Sequence, residues 1–201
     1  MDEPVAMTPL SHLAVQATSI VSPSHPLLLI DQGYAGLVRI MSATGQQRVV
    51  AEMFDLPVEP NLARDGRFGT GLATAPGEWH LALLDKIEIT ALQASVAERG
   101  YISDQRDAYV ALHLTGADAA NLLAKSCPLD FRAKTFPEGN YRKSLLGSID
   151  LLVIKADNTP SFDLLVPAGY AEAVWARLLN EGEEFALVCS RVESSAGSVN
   201  S

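Results

Sequence analysis

The sequence predicts an α+β protein made of two βαββαβ, ferredoxin-like repeats packed together. Three observations carry that expectation. Hydrophobic periodicity orders the elements as strand, helix, strand, strand, helix, strand, and the order then starts again near Tyr109. Thr44-Gly45 and Thr115-Gly116 stand at the same strand-to-helix junction in each copy. Gly77-Glu78-Trp79 and Pro160-Ser161-Phe162 both start a return strand. Sheets of this kind have an apolar face that two copies bury against each other or against helices. The expected organisation is an N-terminal arm (1–25), an α+β domain (26–189) with half-repeats of about 26–104 and 107–189, and a flexible Ser- and Gly-rich tail (190–201).

The first repeat reads as follows. Leu27–Ile30 is an apolar run of strand type, Gly33-Tyr34 a turn, and Leu37–Ile40 a second strand. Gln46–Phe54 places Val49, Val50 and Met53 on one side of a helix that Pro57 and Pro60 end. Arg67–Ala75 reads as one strand containing two glycines, and Pro76-Gly77 turns it into Trp79–Leu84. Asp85 with Glu88 resembles a capping box for a helix to Arg99, which carries Ile89, Leu92 and Val96 on one face. Gly100 is suited to its C′ position, and Tyr101–Ser103 adds a short strand.

In the second repeat, Tyr109–Leu114 is a strand and Gly116 opens a short alanine-rich helix that Pro128 stops. A long loop, 127–144, leads to a strand over Leu145–Lys155. Asn158-Thr159-Pro160 turns into Phe162–Val166. Tyr170–Asn180 carries Ala171, Val174, Trp175 and Leu178 at helical spacing, and Phe185–Cys189 is the last strand.

The bulk properties exclude several function classes. The 201 residues are 48% hydrophobic, enough for a sizeable core. A net charge of −9 disfavours nucleic acid and anionic membrane surfaces. No run approaches 18 apolar residues, and the first residues carry no basic region ahead of an apolar stretch, so a cytoplasmic protein is expected. The two cysteines, Cys127 and Cys189, read as reduced thiols.

No catalytic constellation stands out. Cys127 follows a helix C-terminus, where the dipole opposes a thiolate, and no His is near it in sequence. His12, His25, His80 and His113 lack metal-ligand spacing. Gly66-Arg67-Phe68-Gly69-Thr70-Gly71 is neither a dinucleotide fingerprint nor a phosphate loop. The anomaly is the loop region 125–143, where Lys125, Arg132, Lys134, Arg142 and Lys143 face only Asp130 and Glu138. It reads as a contact surface for a partner or anionic ligand, formed by Arg132, Lys134, Arg142 and Lys143 with Phe131, Phe136 and Tyr141 as anchors.

The motif Lys125-x-Cys127-Pro128-Leu129-Asp130, followed by Phe136-Pro137-x-Gly139, resembles the gamma subunit of heterotetrameric sarcosine oxidase. Pro76-Gly77-Glu78-Trp79, Leu112-x-Leu114-x-Gly116-x-Asp118-Ala119 and Tyr170-Ala171-x-x-x-Trp175 agree, so the resemblance covers roughly 65–185. It implies a fold related to the folate-binding domain of the glycine-cleavage T-protein. It implies alpha, beta and delta subunits as partners in a cytoplasmic complex that oxidatively demethylates sarcosine. That complex carries FAD, FMN and NAD, mainly on alpha and beta, and uses tetrahydrofolate as one-carbon acceptor. The T-protein's Arg-x-Glu-x-Gly stretch is absent. Lys125-Ser126-Cys127-Pro128 shares only its Lys and Cys with the Lys-Gly-Cys-Tyr motif of related iron–sulfur assembly proteins. The expectation is therefore a non-catalytic subunit that binds no cofactor itself and supports assembly and stability. Two alternatives stay open: a sister complex acting on N-methylglutamate or dimethylglycine, and a stand-alone folate-dependent one-carbon-transfer protein.

Overall fold

A computed structural model describes residues 8–13, 27–83, 88–155, 157 and 159–191. Two sheets stack face to face, with helices covering both outer faces. The first repeat runs β2 (Leu37–Ser42), α1 (Gln47–Met53), β3 (Ala63–Gly66), β4 (Gly69–Ala75), β5 (Glu78–Leu83), α2 (Ile89–Val96) and β6 (Gly100–Gln105). The second runs β7 (Tyr109–Thr115), α3 (Ala119–Ala124), β8 (Asn140–Leu146), β9 (Ile149–Lys155), β10 (Ser161–Pro167), α4 (Ala171–Gly182) and β11 (Val188–Arg191). The leading strand, β1 (Leu28–Tyr34), precedes both.

The α+β duplication is present, with three strands between the helices of each repeat where two were expected. Both extra strands come from tight hairpins. The expected strand over Leu145–Lys155 is split at Gly147, whose φ of 62° makes the two-residue turn between β8 and β9. The expected strand over Arg67–Ala75 starts only at Gly69, because Arg67-Phe68 is the turn between β3 and β4. Gly69 has no room for a side chain, since a Cβ there would lie 1.7 Å from the carbonyl oxygen of Ala82.

The sheet orders show how the repeats interlock. One sheet is β3-β4-β5-β2-β6 and the other β11-β1-β7-β10-β9-β8. The strand expected to open the first repeat thus belongs to the sheet of the second. It pairs antiparallel with β7 and parallel with β11, taking beside β7 the place that β6 takes beside β2. The edges of the two sheets also meet. Leu62 bridges Asn140, Ala63 N–H donates to Gly139 O at 2.8 Å, and Tyr141 N–H donates to Asn61 O at 3.0 Å.

Burial on both faces of the sheets explains their long apolar runs. Along β7, Val110, Leu112 and Leu114 face the core under α3 and α4, while Ala111 faces the other sheet. Along β9, Leu151 and Val153 face outward, and Leu152 and Ile154 face inward. Val38, Ile40, Trp79, Leu81 and Ile102 form the matching core with Val50, Leu92 and Val96 of α1 and α2. Trp79 Nε1–H is satisfied by Pro57 O at 2.7 Å.

The ends of the chain follow the same logic. Residues 183–185, where the last strand was expected to begin, are a 3₁₀ turn, and Ala186 at φ 51° reverses the chain into β11. Arg191 inside β11 donates from Nε to Asp31 at 2.9 Å and from Nη2 to Leu10 O at 2.5 Å, so one guanidinium joins β11, β1 and the 8–13 segment. Asp85, Asn158, most of the 1–25 arm and the tail beyond Arg191 lie outside the described residues. No helix among the described residues is long and apolar enough to cross a membrane.

Candidate functional site

The loop between α3 and β8 is ordered by an aromatic cluster. Phe131 and Phe136 pack on Phe162 of β10 with ring centroids 5.2 and 6.2 Å away. Phe136 and Tyr141, expected as surface anchors, are interior residues at 2% and 3% exposure. Two forces take them inside: Phe136 completes the core under α3, and the Tyr141 hydroxyl donates to Ala73 O in the opposite sheet. Burial pushes the Tyr141 phenol up to about 12. The expected loop to residue 144 ends at Gly139, and Arg142 and Lys143 lie on β8.

The basic residues of this region are largely matched by acids. Arg132 Nε donates to Asp130 Oδ1 at 2.8 Å, a pairing that holds the carboxyl far below its usual range. Lys125 turns back to Glu184 at 2.6 Å. Lys143 lies 4.0 Å from Asp150, and Arg142 lies 5.6 Å from the Phe136 ring centroid while donating to Tyr141 O. Lys134 is exposed and has no ion-pair partner among the described residues. Arg132, Lys134 and Lys143 are exposed, the first two on the loop and Lys143 on the side of β8 opposite to Arg142, which stacks on Phe136. Cys127 is buried, with its thiol donating to Ser144 Oγ at 3.4 Å.

A second feature went unread in the sequence. Between the sheets lies a cleft of about 540 Å³. Ala35, Ala63, Ala82 and Ala111 line it, so short side chains face each other where two sheets about 10 Å apart need larger ones to fill the gap. Leu72, Ile154 and Leu165 add apolar wall, and Asp65, Glu138 and Asp163 supply carboxylates. Glu138 and Gly139, at the end of the loop, close one side. The available signal was alanine at alternate strand positions, too common to single out without knowing which strands face each other.

His113 and Asp163 sit directly opposite on β7 and β10. His113 Nδ1 is 2.6 Å from Asp163 Oδ1, and that hydrogen bond raises the imidazole pKa against the opposing effect of burial. At the other end of the inter-sheet layer, Arg39 and Glu78 pair at 2.9 Å. His80 beside them has its pKa lowered, chiefly by burial. Among the described residues no group of three His, Cys, Asp or Glu side chains is placed to hold a metal ion.

The fold is α+β and of the glycine-cleavage T-protein type: a glycine cleavage system aminomethyltransferase T from Bartonella henselae superposes over 83% of this chain and 48% of that one, with a TM-score of 0.59 and 16% identity. The chain thus spans about half of that aminomethyltransferase. A chain of the heterotetrameric sarcosine oxidase from Corynebacterium sp. U-96, in complex with pyrrole 2-carboxylate, superposes over 89% of this chain and 95% of that one, with a TM-score of 0.76 and 21% identity. No family model and no curated protein matches the sequence.

Proposed function

We propose that this chain is a non-catalytic subunit of a sarcosine-oxidase-type complex, in the place of the gamma subunit, where it supports assembly and stability. The observation that carries the reading is co-extension. The matched fold covers 89% of this chain and 95% of a chain of a heterotetrameric sarcosine oxidase. Its partners are alpha, beta and delta subunits in the cytoplasm. FAD, FMN and NAD reside on those partners, and tetrahydrofolate takes up the one-carbon unit there.

The contact surface in this reading is the loop and the adjoining edge strand β8, with Arg132, Lys134, Arg142 and Lys143. Its rim charges steer docking, while the Phe131–Phe136–Phe162 cluster beneath holds the backbone in place. A sister complex oxidising N-methylglutamate or dimethylglycine fits this chain equally well, because substrate contacts fall on other subunits.

Copurification tests the reading. A tagged chain co-expressed with the alpha, beta and delta subunits of a sarcosine-oxidase-type complex is expected to bring them down in fixed stoichiometry. A chain that stays alone refutes it. Calorimetry with tetrahydrofolate tests the stand-alone one-carbon alternative, for which saturable binding to the isolated chain is required.

A further inference from the structure

We propose that the inter-sheet cleft binds a small organic cation, an ammonium group carried on an apolar body. The proposal does not rest on the subunit reading. The cavity carries it: about 540 Å³ is the size of a small-molecule site, and strand alanines of both sheets, Ala63 and Ala82 against Ala111, line it together with Ala35 and the loop end Glu138–Gly139.

The lining sets the ligand class. Leu72, Ile154 and Leu165 offer apolar wall to an organic body. The ionisable side chains of the lining are Asp65, Glu138, Asp163, Tyr34 and Lys155. Lys155 cannot serve an anion in the cleft. Its ammonium donates to Thr159 O and to Ser161 O at 3.3 Å and sits 4.7 Å from the Phe162 ring centroid, in the outer core. Asp163 spends Oδ1 on His113, and Oδ2 has no hydrogen-bond partner among the described residues. Asp65 spends Oδ1 on Thr70 at 2.6 Å. Carboxylates thus remain from both sheets, with no free cation among the described residues of the lining to oppose them. An anion entering the cleft would lose hydration against negative charge, whereas an ammonium gains Asp163 Oδ2 as acceptor. The carboxylates are too dispersed for a metal ion, consistent with the lack of a three-group cluster among the described residues.

The test uses the full chain and two aromatic probes of similar size and opposite charge, phenethylammonium and 3-phenylpropionate. Each is titrated while backbone amide resonances are followed. The proposal expects saturable shifts from phenethylammonium at Ala111, Ile154 and Leu165, and at least tenfold weaker binding of 3-phenylpropionate. Asp163→Asn is expected to weaken the cation at least fivefold. Because that variant also breaks the pair with His113, Asp65→Asn on the opposite sheet provides a second arm, with a loss of twofold or more. Phenethylammonium binding that fails to saturate, that maps outside the cleft, or that is equalled by 3-phenylpropionate overturns the proposal, as does unchanged affinity in both variants.

Discussion

The Tyr141 hydroxyl donates to the backbone carbonyl of Ala73, so a side chain of β8 is hydrogen-bonded to the middle of β4 in the other sheet. The same carbonyl also accepts from Asn61 N–H at 3.3 Å. Tyr141→Phe therefore removes one bond without orphaning its acceptor, and a loss of about 1 kcal/mol in urea unfolding is expected. The phenol pKa rises from 10.0 to about 12 in the folded chain, so the unfolded chain releases this proton first. Stability is then lost as pH rises from about 10 through 12, and Tyr141→Phe is expected to flatten that alkaline decline.

His113 and His80 should titrate on opposite sides of the ordinary value of 6.5. Asp163 raises His113, whereas burial lowers His80. The His113 contribution is full below 6.5 and is lost as pH rises through its folded pKa. The His80 contribution is full above 6.5 and is lost as pH falls through its folded pKa. Imidazole resonances followed against pH check both directions. Asp163→Asn should bring His113 back toward 6.5 and leave His80 in place.

Arg191 offers the sharpest stability test. Asp31 is 1% exposed, and Arg191 is its charge partner at 2.9 Å. Arg191→Ala leaves a buried carboxylate unpaired and releases the carbonyls of Leu10 and Ser11. A loss of about 3–5 kcal/mol is expected. Limited proteolysis should then cut the 8–13 segment sooner than in the parent chain.

Gly69→Ala should disrupt the β3–β4 hairpin. Gly69 has φ 140°, and its would-be Cβ overlaps the Ala82 carbonyl, so β4 and β5 must separate there. A cooperative loss of stability above about 1 kcal/mol is expected in denaturant unfolding.

The sequence was most legible where periodicity and packing agree. α4 was readable because Ala171, Val174, Trp175 and Leu178 share one buried face of a twelve-residue helix. The repeat was readable from its strand-to-helix junctions. Strand count was not, because β8 opens with the polar run Asn140 to Ser144 and shows only Leu145-Leu146 as a strand signal, which merges across the Gly147 turn with the apolar run of β9. The placement of β1 was hidden as well, since pairing with β7 and β11 depends on residues about 80 and 160 positions away. In the candidate contact loop, charge was legible but burial was not. Phe136 and Tyr141 look like anchors in a basic loop, yet the core and the opposite sheet claim them. The cleft needed the sheet stacking itself, because facing alanines become a cavity only when two strands are known to face each other.

The subunit reading is tested most directly by sedimentation of the co-expressed alpha, beta and delta subunits of a sarcosine-oxidase-type complex, with this chain and without it. The account predicts one species containing all four chains, lost or dissociating when this chain is omitted and weakened by charge reversal at Arg132, Lys134 and Lys143. A stable, active assembly that forms without this chain, while the chain sediments alone, would contradict it.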